Sequence, residues 1–107
     1  MRNIGFISFP GIIWDGVCVK NHKDNYAIPY NAEINMLTEA LCKSFCLNVN
    51  KLYFGVQFGR QCHCGNEQPS FQHLLPSSEC NMTCEGNSSQ MFGGAYRATV
   101  FKIQGKP

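Results

Sequence analysis

Thr38-Glu39-Ala40-Leu41-Cys42-Lys43-Ser44-Phe45-Cys46, followed after a short connection by Tyr53-Phe54-Gly55-Val56-Gln57-Phe58-Gly59-Arg60-Gln61-Cys62-His63-Cys64, decides the fold of this 107-residue chain. Between Leu37 and Leu47 the apolar positions Leu37, Leu41, Cys42, Phe45 and Cys46 recur at helical spacing, with Thr38 as N-cap ahead of Glu39, and this predicts a helix. From Leu52 to Phe58 the alternation of Phe54, Val56 and Phe58 with Tyr53, Gly55 and Gln57 predicts a half-buried strand. Gly59-Arg60-Gln61 turns it, and Cys62-His63-Cys64 returns as its hairpin partner.

Cys42 and Cys46 then share one helix face about 6 Å apart along the axis. Cys62 and Cys64 share one strand face at about 6.8 Å. Two disulfides could stitch helix to hairpin as matching rungs without straining either bridge. A short connection sets the first strand antiparallel to the helix and the returning strand parallel to it, which favours Cys42 with Cys62 and Cys46 with Cys64. The competing reading is a zinc site of four thiolates, although neither C-x3-C nor C-x-C is the usual ribbon spacing.

Working outward, Trp14 to Val19 reads as a strand, Lys20 to Asn25 as a polar loop, Glu67 to Gln90 as a long loop, and Ala95 to Ile103 as a closing strand. The expected class is α+β, one main helix packed on an antiparallel sheet. Residues 1–13 read as an apolar lead-in with the look of a signal remnant interrupted by Pro10, residues 14–103 as one domain, and residues 104–107 as a tail. Nine Lys and Arg against seven Asp and Glu lie scattered, with no stripe to track phosphates, so no nucleic-acid partner is expected. No apolar run approaches the roughly 20 residues of a membrane span. Seven cysteines in so short a chain point to a disulfide scaffold and an oxidising compartment, with one cysteine left over.

The run from Thr38 to Asn66, together with Glu79-Cys80-Asn81-Met82-Thr83-Cys84, Gly86, Gln90 and Gly93-Gly94, resembles the WSC domain family over roughly Trp14 to Ile103. The resemblance implies a PAN-like, disulfide-stapled fold with eight cysteines in four bridges. Carried over by position, Cys18 would pair with Cys80, Cys42 with Cys62 and Cys46 with Cys64. The fourth bridge departs from the pattern, because Phe92 stands where the partner of Cys84 should be. Three outcomes follow for Cys84: a buried reduced thiol against Phe92, an intermolecular disulfide, or a lost surface clip. The first is the expected one, with loosening of residues 80 to 94.

The resemblance further implies an extracellular or cell-surface module that binds glycans or surface proteins. Seven carboxylates and three histidines include no pair spaced for acid and base work, and no catalytic motif occurs, so no enzyme and no cofactor are expected. Glycan binding needs exposed rings flanked by planar polar groups. The strand face opposite the cysteines offers Tyr53, Gln57, Arg60 and His63, with Asn66 nearby, and His63 there is expected at the surface. The alternative is a protein-interaction or structural module of a receptor of the Kremen type, anchored by Phe71, His73, Leu74 and Leu75. Asn81-Met82-Thr83 and Asn87-Ser88-Ser89 are N-glycosylation sequons suited to a secreted chain.

Overall fold

The computed structural model describes residues 12–103; most of the lead-in and the tail at 104–107 lie outside the described residues. Strands β1 (Asp15–Lys20), β2 (Tyr30–Glu33), β3 (Tyr53–Gln57), β4 (Gln61–Gly65) and β7 (Arg97–Lys102) form one sheet in the order β1-β7-β3-β4-β2. Every neighbouring pair is antiparallel. Helix α1 (Glu39–Asn48) lies against β3 and β4, and a small hairpin of β5 (Thr83–Cys84) and β6 (Asn87–Met91) stands apart from the sheet.

Thr38 caps α1 from an extended backbone, its side chain accepting the Leu41 N–H at 3.2 Å. A second orphan donor of the first turn, Glu39 N–H, goes to the Gln90 side chain of β6 at 3.0 Å, which ties the small hairpin to the helix. Gly86 makes this docking feasible: any Cβ there would collide with the Met36 carbonyl.

The sheet is buried on both faces. On the helix side Leu37, Cys42, Cys46, Phe54, Val56, Cys62, Cys64 and Phe101 form one core, with Phe54 stacked on Phe101 at 4.8 Å. On the other side Trp14, Val19, Ile28, Tyr53, Ala98 and Val100 form a second. The three cystines are Cys18–Cys80, Cys42–Cys62 and Cys46–Cys64, with Cα atoms 5.8, 5.3 and 5.5 Å apart. Two of them stand as adjacent rungs between α1 and β4, and the third fastens β1 to the start of the β5–β6 region. Each is worth roughly 2–4 kcal/mol against unfolding, which matters in a domain whose cores are this small.

Sequence reasoning placed the helix, the β3–β4 hairpin and the strands β1 and β7 within a residue or two of where they lie. It missed β2, whose Tyr30-Asn31-Ala32-Glu33 alternates over only four residues and, at the edge of the sheet, buries little. It also read β5 and β6 as loop. Phe58 was expected inside a strand; instead it occupies the β3–β4 turn at φ 55°, half exposed, beside Gly59 at φ 72°.

The larger correction concerns the face opposite the cysteines. The segment from Asn21 to Pro29 folds across it, and Ile28 and Asn21 become fully buried. Tyr53, Gln57 and His63 therefore lie 6, 5 and 1% exposed, so the expected surface histidine is an interior one and the strand face itself is no open platform.

Candidate functional site

A buried polar network fills the space between the covering segment and the sheet. Asn21 Oδ1 accepts the N–H groups of Ala27 and Ile28 at 2.8 and 3.0 Å. Its Nδ2 donates to Gln57 Oε1 at 3.0 Å and lies 3.1 Å from His63 Nδ1, while Gln57 Nε2 donates back to the Asn21 carbonyl at 3.3 Å. Gln61 Oε1 sits 3.3 Å from the other ring nitrogen of His63. Burial lowers the His63 pKa to about 4, against a smaller opposing pull from the Ile28 carbonyl, so the ring is neutral at physiological pH.

This network is the floor of a cleft of about 270 Å³. Gln61 and the nearly buried Gln57 present amides from below, held in place by the buried Asn21, and Tyr26, Phe58 and Tyr96, residues 37, 42 and 52% exposed, border the cleft. Tyr96 stands in the turn between Gly94 and Arg97 at φ 61°, a left-handed position where glycine is the default, and stacks on His22 at 4.3 Å. The Asn21 N–H holds the Tyr96 carbonyl at 2.8 Å, so floor and rim are fixed by the same residue. Two aromatic rings on left-handed backbone at one cleft is strain of roughly 1 kcal/mol or more at each, of the kind that collects at binding sites.

Among the described residues no carboxylate or histidine lines this cleft, and Lys23 is its one charged lining residue. It can stack on apolar ring faces and exchange hydrogen bonds with hydroxyls. It offers no acid and base pair.

The residues proposed from the sequence are not gathered here. Gln57 contributes to the floor and His63 lies beneath it, whereas Tyr53 is buried at the far end of β3 against Trp14. Arg60 turns away to pair with Glu85 at 2.8 Å, beside Glu33 and Asn35, and Asn66 lines a neighbouring cleft with Tyr30 and Lys51. Phe71 and Leu74 are 49 and 36% exposed, and their loop is pinned to β1 through Val19 and the Cys18 carbonyl. Sequence reasoning missed Asn21, Tyr26 and Tyr96. A signal was present in Gly93-Gly94-Ala95-Tyr96, a turn motif that carries an aromatic residue where a small one suffices.

The sulfurs of Cys42, Cys46 and Cys62 fall within 4.8 Å of one another, which reflects two bridges standing side by side. Cystine sulfur is not the thiolate that zinc takes up. Cys84 is unpaired and buried in the helix-side core, where Phe92 also packs, its ring edge-on to Phe101 at 5.3 Å. Among the described residues no helix is long and apolar enough to cross a membrane.

The chain is similar to xylosyltransferase oxt of Drosophila melanogaster, 34% identical over 87 residues that make up 79% of this chain and 10% of that protein. It is 31% identical over 96 residues to a WSC domain-containing protein of Arthroderma benhamiae, covering 89% of this chain and 13% of that one. Kremen protein 1 of Mus musculus is 33% identical over 86 residues, 78% of this chain and 18% of the relative. The chain thus spans between a tenth and a fifth of the length of these relatives, the share of a single module. The WSC domain pattern matches residues 16–94, which takes in the three bridges, the helix and the β3–β4 hairpin. The chain belongs to the WSC domain family, whose members are cysteine-rich extracellular modules.

Proposed function

We propose that this domain is a non-catalytic glycan-binding module that works outside the cell or at its surface, holding sugar in the cleft bordered by Tyr26, Phe58 and Tyr96. The observation that carries this reading is the pairing of three exposed rings with a floor of fixed amides. Sugar C–H faces stack on rings, and hydroxyls pair with amide groups that already hold their orientation, so little ordering cost remains at binding. Gln57 is the residue of the sequence-derived set that takes part directly. His63 supports the floor from behind, Tyr53 belongs to the core beside Trp14, and Arg60 serves the turn through Glu85.

Three cystines require an oxidising compartment, which supports the extracellular placement. The same placement makes Asn81 and Asn87, both exposed, acceptors for N-linked glycan. The test is retention of the oxidised domain on an array of immobilised polysaccharides. Tyr96→Ala and Phe58→Ala should each weaken retention about tenfold. A folded wild-type domain that binds no polysaccharide refutes the reading and leaves the exposed Phe71 and Leu74 loop as the anchor for a protein partner.

A further inference from the structure

Tyr26 lines two clefts, not one. It borders the cleft of Phe58 and Tyr96. It also borders a second hollow of about 370 Å³ lined by Pro29, Tyr30, Lys51, Asn66 and Glu67. The second hollow shares the ring, amide and lysine chemistry of the first and adds a carboxylate. Tyr30 is 45% exposed, and its ring is fixed between Phe45 at 6.0 Å and the Lys51 ammonium at 5.6 Å. Asn66 supplies the amide and Glu67 a carboxylate acceptor. Each hollow has one lysine, Lys23 in the first and Lys51 in the second, and neither is engaged in an ion pair among the described residues. Tyr30 opens β2, an edge strand of the sheet.

We infer that the two hollows are consecutive subsites of one groove, with Tyr26 as the saddle between them, and that the ligand is a linear glycan chain bound along its interior and not by a terminal sugar. This rests on the glycan-binding reading of the first cleft and deepens it. A single sugar occupies one hollow. A chain laid over Tyr26 gains the Tyr30 ring and the Asn66 amide in addition, and the second contact follows the first at high effective concentration because the sugars are covalently joined.

The experiment is calorimetric titration of the oxidised domain with xylo-oligosaccharide, cello-oligosaccharide and chito-oligosaccharide ladders, from disaccharide to hexasaccharide. For the ladder that binds, the hexasaccharide should exceed the disaccharide in affinity by roughly tenfold or more. Tyr30→Ala should bring that ratio close to one, whereas Tyr96→Ala should weaken every rung. Lys51→Ala, which removes the cation over the Tyr30 ring, should lower the ratio in the same direction and guards against a folding defect in Tyr30→Ala. A disaccharide bound as tightly as the hexasaccharide, or a length gain untouched by both Tyr30→Ala and Lys51→Ala, overturns the two-subsite groove and leaves the first cleft standing. Failure of every rung in all three ladders overturns the groove for these chains, and the polysaccharide array separately decides the glycan-binding reading.

Discussion

Asn21 and Gln57 bond each other twice: the Asn21 amide donates to Gln57 Oε1 at 3.0 Å, and the Gln57 amide donates to the Asn21 carbonyl at 3.3 Å. The pair joins the segment after β1 to the end of β3, and it converts a sequence stretch with loop composition into a lid over half of the sheet. Asn21 also satisfies the Ala27 and Ile28 N–H groups, so Asn21→Ala leaves two backbone donors without their acceptor. The expected loss is roughly 2–6 kcal/mol, since each abandoned group costs about 1–3 kcal/mol. Denaturant unfolding measures it, and a loss under about 1 kcal/mol would show that water takes over the role of the side chain.

Stability and binding should separate at Tyr96. Its left-handed backbone favours glycine by about 1 kcal/mol, while the ring returns a comparable amount by stacking on His22 and glycine adds entropy to the unfolded chain. Tyr96→Gly should therefore change the unfolding free energy by less than about 1 kcal/mol and still weaken polysaccharide retention about tenfold. Loss of retention accompanied by a large loss of stability would make Tyr96 a structural residue.

His63 makes the fold sensitive to acid. Its folded pKa is about 4 because burial disfavours the cation, and the unfolded chain titrates at the ordinary 6.5. Between these values the unfolded state takes up a proton that the folded state refuses. The contribution of His63 is thus complete above about pH 6.5, falls as pH drops through the window, and levels off below about pH 4. At about pH 5 the loss is roughly 2 kcal/mol. Unfolding midpoints at neutral pH and at pH 5 should converge in His63→Gln relative to wild type. An undiminished difference would assign the acid sensitivity to carboxylates.

The legible and illegible parts of the sequence divide along one physical line. Local periodicity and cysteine spacing carry the helix, the β3–β4 hairpin and the rungs at Cys42–Cys62 and Cys46–Cys64, because these features lie within about two dozen residues of one another. The Cys18–Cys80 bridge spans 62 residues and came from the family resemblance alone. The cleft depends on a long-range fact that no period encodes: Asn21 reaches across to Gln57 and His63. Alternation correctly put Tyr53, Gln57 and His63 on one face of the sheet. It could not say that Ile28 would cover that face, and so the exposed rings turned out to sit in turns at Phe58 and Tyr96 and on the covering segment at Tyr26.

Cys84 offers a test of how the fold tolerates its missing bridge. The thiol is buried, and its pKa is raised first by that burial and then by the nearby charge of Glu39, so the reactive thiolate is scarce at neutral pH. Iodoacetamide should leave the folded domain unmodified at neutral pH and label one thiol after unfolding without reductant. Phe92→Cys restores a cysteine at the position the family pattern reserves for the partner, eight residues on. Oxidised refolding of that variant should take the free-thiol count to zero. Its stability should nonetheless stay within about 2 kcal/mol of wild type, because a short-loop disulfide contributes roughly 2–3 kcal/mol and losing the Phe92 ring from the core beside Phe101 removes a similar amount. Two free thiols in the refolded variant would mean that the small hairpin has rearranged around Phe92, and rapid labelling of wild-type Cys84 would mean that residues 80–94 open readily.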